Sequence, residues 1–90
     1  MEKQVKKYFP KRLYSDDKVV EYLLLLKGNH KFYKKQFPDK SYVDYVDLAV
    51  ERGEEYMERH GYNPDVCSCT KIELEILIEY KGEILKFLAE

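Results

Sequence analysis

The chain has 90 residues, of which 44% are hydrophobic, 14% aromatic and 37% charged, and its formal net charge is −1. This apolar and aromatic content is too high for an intrinsically disordered chain, and the length predicts a single domain over residues 1–90. The longest apolar run, Tyr22 to Leu26, is far shorter than the roughly 20 residues that a membrane-spanning helix needs.

The two cysteines, Cys67 and Cys69, are separated by one residue and cannot cross-link distant parts of a fold. The chain starts with charged residues and shows no apolar leader behind them, so we expect a cytoplasmic protein in a reducing environment. Lys and Glu dominate the charge while Asn and Gln are scarce, a composition reported for thermophile proteins.

The N-terminal segment 1–14 is basic, and Val5, Tyr8 and Phe9 predict one or two helical turns that stop before Pro10. The first main helix is predicted over residues 16–28, with Ser15 as its N-cap and Gly28 as its C-cap. Its apolar face repeats at helical spacing and consists of Val19, Val20, Leu23, Leu24 and Leu26.

Residues 29–40 are predicted to form a corner between helices, with a short helix over 30–37 and with Phe37 packed inward. The pattern leaves open whether Phe32 and Tyr33 face the core or the solvent. The second main helix is predicted over residues 41–60, where Ser41 and Asp44 approximate a capping box. A glycine in the middle of this helix, Gly53, indicates close approach of a neighbouring helix or a kink.

The last third of the chain has two interpretations. Residues 71–80 alternate apolar and charged side chains as a strand does, yet a polar stripe at helical spacing runs from Glu75 to Glu90. We prefer a helix over 70–89, with Thr70 and Glu73 as a capping box, although Asn63 followed by Pro64 also fits a helix start. The fold class is therefore all-α, a compact small bundle of three main helices with short helical connectors; the alternative is α+β with a C-terminal strand or hairpin at 71–88.

Charge is divided unevenly along the chain. Residues 1–40 carry eleven Lys and Arg against five Asp and Glu, whereas residues 41–90 carry five against twelve. Lysines interleaved with aromatic residues can neutralise phosphates and stack on bases, so nucleic-acid binding by the basic half is one hypothesis. Its candidate residues are Lys6, Lys7, Lys11, Arg12, Lys31, Tyr33, Lys34 and Lys35.

Metal binding is a minor alternative, because Cys67, Cys69 and His60 are ligand types that zinc accepts. The spacing of one residue between the cysteines is shorter than in most structural zinc sites, so we expect no metal site and no cofactor. No nucleophile has an evident base partner and no glycine-rich phosphate loop occurs, so the sequence predicts neither an enzyme nor a small-molecule substrate.

The favoured hypothesis is a non-catalytic protein–protein interaction module that self-associates, most simply as a dimer. Four consecutive leucines place at least one apolar side chain outside the simplest core, and a basic half can dock on the acidic half of a second copy. The residues proposed for this interaction surface are Leu24, Leu25, Glu51, Glu54, Glu55 and Glu58.

Overall fold

The computed structural model describes residues 2–90, with side chains from Val5 onward. Within that range the chain is all-α, which confirms the fold class, and it forms six helices instead of three main ones. Their bounds are α1 Glu2–Tyr8, α2 Lys11–Tyr14, α3 Asp17–Gln36, α4 Tyr42–Arg59, α5 Pro64–Glu79 and α6 Lys81–Ala89.

The first two helices are short and lead into α3. The helix α1 ends before Pro10, as the sequence predicts. The N-cap of α3 is Asp16 and not Ser15, because the Asp16 carboxylate accepts a hydrogen bond of 2.9 Å from the backbone N–H of Lys18. The Ser15 hydroxyl instead donates to the carbonyl of Arg12, at the end of the preceding turn.

The helix α3 continues through Gly28, so the predicted C-cap at this residue is wrong. Gly28 does not adopt the positive φ of a helix-ending glycine, a conformation that Gly61 does adopt at φ 62°. Residues 29–36 therefore extend the same helix, and only residues 37–40 form the corner before α4. Phe37 is the C-cap of α3 and is largely exposed, which contradicts its predicted inward packing.

The start of α4 is the predicted capping box. The Ser41 hydroxyl accepts from the backbone N–H of Asp44 at 3.2 Å, and the Asp44 carboxylate accepts from the backbone N–H of Ser41 at 2.9 Å. Further along, Gly53 lies against α5, because a Cβ added there would be 2.8 Å from Cδ2 of Leu74. Close approach of a neighbouring helix is therefore the reason for this glycine.

Residues 71–79 belong to α5 and residues 81–88 to α6, so the strand alternative is wrong. Asn63 caps this helix by accepting from the backbone N–H of Asp65, and Pro64 occupies its first turn. The predicted capping box of Thr70 and Glu73 consequently lies inside the helix. A break at Tyr80 separates α5 from α6, so the predicted single helix over 70–89 is in fact two helices.

The hydrophobic core lies where α1, α3, α4 and α6 meet, and α5 packs mainly against α4. The ring of Phe87 is fully buried and meets Phe9 edge-on, with 5.6 Å between ring centroids. The largest fully buried side chains are Phe87, Leu23, Leu77, Ile84, Val5 and Val46. In the described part of the chain, no helix combines the length and the apolar character needed to cross a membrane.

Candidate functional site

The outward side of α3 carries a stripe of uncharged residues, which we call the α3 ridge. Its two large apolar side chains, Leu25 and Phe32, are 61% and 70% exposed, far more than leucine and phenylalanine usually are. The ridge residues recur at helical spacing and are Leu25, Gly28, Asn29, Phe32 and Gln36. Because 37% of the chain is charged, a solvent-facing helix side without charge over this length is unusual.

A groove runs beside the α3 ridge, between α3 on one side and α4 and α5 on the other. Its volume is about 570 Å³, and most of its aromatic lining comes from positions far apart in sequence. The aromatic lining residues are Tyr22, Phe32, Tyr33, Phe37, Tyr45 and Tyr56. No local pattern in the sequence brings Tyr22 near Tyr56, so the groove could not be predicted from the sequence.

Contacts between aromatic rings and one hydrogen bond hold the aromatic side chains of the groove in place. The ring of Tyr33 lies 5.2 Å from the rings of both Phe37 and Tyr45, between centroids. The Tyr45 hydroxyl donates to the carbonyl of Leu26 at 3.0 Å, and burial raises the pKa of Tyr45 to about 12. Tyr33 therefore packs on rings within the groove, while the adjacent Phe32, which also lines the groove, stays 70% exposed.

Two titratable groups, Tyr22 and Glu73, line both the groove and a smaller hollow of about 120 Å³ that continues it between α3 and α5. Burial raises the pKa of the Tyr22 hydroxyl, which the Glu73 carboxylate raises further. Burial also raises the pKa of Glu73 itself. The groove thus combines six aromatic side chains with polar and charged ones, among them Asn29, Arg52 and Glu73.

A second concavity, which we call the basic hollow, lies on another side of α3. It has a volume of about 440 Å³ between the second half of α3, the start of α4 and the end of α6. Lysines and one histidine dominate it, and its only lining carboxylate among the described residues is Glu90. The lining residues are Lys27, His30, Lys31, Lys34, Lys35, Tyr42, Leu88, Ala89 and Glu90.

The base of the basic hollow is formed by two nearly inaccessible polar side chains. Lys27 is 4% exposed, and its Nζ donates to the carbonyl of Phe87 at 3.0 Å and lies over the ring of the same residue. His30 is 5% exposed and packs on Tyr42 and Tyr45, with centroids 4.6 Å and 5.3 Å away. Burial of His30, with the charges of Lys34 and Lys27 nearby, lowers the pKa of its imidazole.

The Nε2 atom of His30 is buried and finds no hydrogen-bond partner among the described side chains and backbone. Buried polar atoms in folded proteins nearly always have such a partner, because an unpaired one costs about 1–3 kcal/mol. The imidazole is therefore the unsatisfied polar group at the base of the basic hollow.

The structure divides the residues predicted to bind nucleic acid. Lys31, Lys34 and Lys35 gather at the basic hollow, and Lys7 lies at its edge, with Nζ 3.6 Å from a Glu90 carboxylate oxygen. Tyr33 is not with these lysines, since it lines the groove.

The other residues predicted to bind nucleic acid lie on or near α2. Arg12 is paired with Glu79 at 2.9 Å and also donates to the Tyr80 hydroxyl. Lys6 lies over the ring of Tyr14, and Lys11 is exposed at the start of α2. The described side chains thus form no single surface of interleaved lysines and aromatics.

The residues considered for metal binding are not brought together. Cys67 is buried with its Sγ 4.0 Å from the carbonyl of Met57, whereas Cys69 is exposed. His60 is exposed at the end of α4, with its ring next to Tyr56. Between residues 2 and 90, no group of three or more His, Cys, Asp or Glu side chains is placed to hold a metal ion.

The residues predicted for an interaction surface lie in different environments. Leu25 is exposed on the α3 ridge, but Leu24 is half-buried and packs against the core. The four glutamates are exposed on α4, at the spacing of one helix face; they are Glu51, Glu54, Glu55 and Glu58.

Comparison of the sequence with protein-family models and with curated proteins gives no match, and comparison of the fold with solved structures gives none either.

Proposed function

We propose that the protein is a self-associating interaction module, without a catalytic role, whose partner is a second copy of the same chain docked on the α3 ridge. The observation that carries the proposal is the uncharged outward side of α3, with Leu25 and Phe32 exposed two helical turns apart. Burying such side chains contributes about 1.5–3 kcal/mol each, so their removal from water favours association.

The sequence of the ridge is complementary to itself in an antiparallel, two-fold arrangement. A two-fold axis near Gly28 and Asn29 sets Leu25 of one copy opposite Phe32 of the other, and the reverse. Gly28 has no side chain and a Cβ there would touch nothing within 4 Å, so two α3 helices can approach closely at this point. The Asn29 amides then meet near the axis, where each can donate to and accept from the other.

Charge at the ends of the ridge supports the same arrangement. Glu21 is exposed about one turn before Leu25, and Lys35 is exposed about one turn after Phe32. Antiparallel pairing about the ridge centre brings Glu21 of each copy to the level of Lys35 of the other. Opposite charges therefore flank the apolar contacts at both ends, which favours this pairing over a parallel one.

Size-exclusion chromatography with light scattering, over a range of protein concentrations, tests the proposal. The parent chain is expected to give twice the monomer mass of 10.9 kDa at high concentration. The variant Leu25→Ser/Phe32→Ser is expected to remain a monomer, because the apolar contacts are lost from both copies.

The matched control is Ile78→Ser/Val66→Ser, which removes two exposed apolar side chains from α5 and leaves the ridge intact. This control is expected to dimerise as the parent does. A parent chain that stays at 10.9 kDa at every concentration, or a dimer that the ridge variant leaves intact, would refute self-association through α3.

A further inference from the structure

The basic hollow combines an excess of positive charge with a buried polar atom that has no hydrogen-bond partner among the described residues. Among the described residues, Lys31 and Lys35 form no ion pair, and Lys34 donates only to the carbonyl of Lys40 and lies over the ring of Tyr42. The carboxylate of Glu90 pairs with Lys7, and its charge also acts on Lys27 at the base of the hollow. Positive charge therefore exceeds negative charge along the rim of the hollow.

The geometry points to a binding site for a phosphate group of a small molecule, with the His30 imidazole at its base and Lys31 and Lys34 on its rim. His30 lines the hollow, but its Nε2 atom is covered in this structure, so the ring has to turn toward the hollow before Nε2, carrying hydrogen, donates to a phosphate oxygen and obtains the partner that the described residues do not supply. The lysines supply charge-assisted hydrogen bonds from the rim. A volume of about 440 Å³ accommodates a phosphate with an attached organic group.

The surroundings favour a discrete phosphate over the backbone of a nucleic acid. Strands of nucleic acid are bound by basic surfaces that carry exposed aromatic side chains for base stacking. The aromatic ring that lines the basic hollow, Tyr42, is half-buried and already in contact with His30 and Lys34. Tyr33, whose neighbours in sequence are these lysines, lies in the groove instead.

Titration of the full chain with inorganic phosphate at constant ionic strength tests the site, followed by NMR of the histidine rings. Saturable binding is expected to shift the ring resonances of His30 and to leave those of His60, which is exposed at the end of α4, unchanged. This measurement uses the parent protein, so it does not depend on how a variant folds.

The variant Lys31→Gln/Lys34→Gln is expected to bind phosphate at least roughly tenfold more weakly, a loss of about 1.4 kcal/mol. Lys35 is left unchanged because it takes part in the proposed dimer contact. The control Lys71→Gln/Lys86→Gln removes the same charge from two exposed lysines of α5 and α6, and it is expected to bind as the parent does.

A second titration uses a single-stranded oligonucleotide of about 12 nucleotides, which carries the same phosphate chemistry in a polymer. Binding of phosphate with the His30 shift supports the site whether or not the oligonucleotide also binds. Three outcomes overturn it: no saturable binding of phosphate, an equal loss of affinity in the control, or binding of the oligonucleotide alone, which would make this surface a nucleic-acid contact.

Discussion

Single residues at the contact of α4 and α5 show how a missing side chain sets the distance between two helices. Gly53 would gain about 1 kcal/mol of helix propensity on substitution by alanine. Its added Cβ, however, would lie 2.8 Å from Cδ2 and 3.1 Å from Cγ of Leu74. The propensity gain and the steric cost thus oppose each other at one position.

We expect Gly53→Ala to bring no stability in the parent chain but to raise the free energy of unfolding by about 1 kcal/mol in a Leu74→Ala background. Urea unfolding of the four chains of this double-mutant cycle measures the difference. Gly82→Ala is the control, because its Cβ meets nothing within 4 Å and its effect should not depend on Leu74. Equal effects of Gly53→Ala in both backgrounds would show that α4 and α5 are not in close contact here.

Neighbouring residues can also have opposite environments that no local pattern separates. Phe32 and Tyr33 are adjacent, aromatic and surrounded by lysines, and the sequence left the placement of both open. They point about 100° apart on α3, so Phe32 faces the solvent while Tyr33 meets Tyr45. Only the position of α4 determines which of the two is covered.

At the scale of the element, α4 was the helix best predicted, because its start depends on local hydrogen bonds alone. Ser41 and Asp44 satisfy each other's backbone N–H groups in any surroundings. In contrast, the sequence predicts that α3 ends at Gly28, well before its actual end, since a glycine in the middle of a helix resembles a C-cap in sequence. Packing of His30 and Tyr33 against Tyr45 of α4 stabilises the helical residues that follow that glycine.

The capping box of α4 allows a prediction of how the stability of the fold changes at acid pH. The hydrogen bonds from Ser41 lower the pKa of Asp44 below its usual value of 3.8, so the fold favours the charged carboxylate. This contribution to stability is present above the unfolded pKa and is lost as the pH falls through the lower folded value. We therefore expect Asp44→Asn to flatten the decline in stability between about pH 5 and about pH 2, measured by thermal unfolding.

Two further variants make that measurement specific. Ser41→Ala is expected to reduce the free energy of unfolding by about 1 kcal/mol at neutral pH, through loss of the cap. Asp39→Asn removes an exposed carboxylate from the loop before α4 and should leave the acid profile as in the parent. An Asp44→Asn profile that matches the parent would contradict the role of the carboxylate.

On the scale of the whole molecule, the uneven charge of the sequence is only partly compensated by folding. Among the described residues, two ion pairs join the basic and acidic halves, Lys7 with Glu90 and Arg12 with Glu79. Such exposed pairs contribute little energy, typically below about 1 kcal/mol. The lysines of the basic hollow and the glutamates of α4 therefore remain as separate charged surfaces.

If two copies pair through the α3 ridge, the charges at its ends must be opposite where the two copies meet. Lys35→Glu is expected to weaken the dimer roughly three- to tenfold, because it sets like charges opposite Glu21 twice in a symmetric pair. The exchange Glu21→Lys/Lys35→Glu should restore the affinity, which analytical ultracentrifugation measures. The control exchange, Lys71→Glu/Glu75→Lys on α5, should leave the affinity of the dimer unchanged. If the exchange of Glu21 and Lys35 does not restore the affinity, the antiparallel arrangement is contradicted.

By itself, the sequence determined the start of α4 and the stop before Pro10, and it favoured the all-α class over an α+β alternative. At Gly53 it left close approach of a neighbouring helix and a kink both open. These features depend on the period of apolar residues, on local hydrogen bonds and on steric limits of the backbone, all of which act over a few residues. Only the tertiary structure decided that α3 passes through Gly28, that the C-terminal helix breaks at Tyr80, and that His30 is buried beneath lysines. Those features depend on contacts between helices distant in sequence, and the exposed α3 ridge is recognised only once the core has been seen to form on the opposite side of the helix.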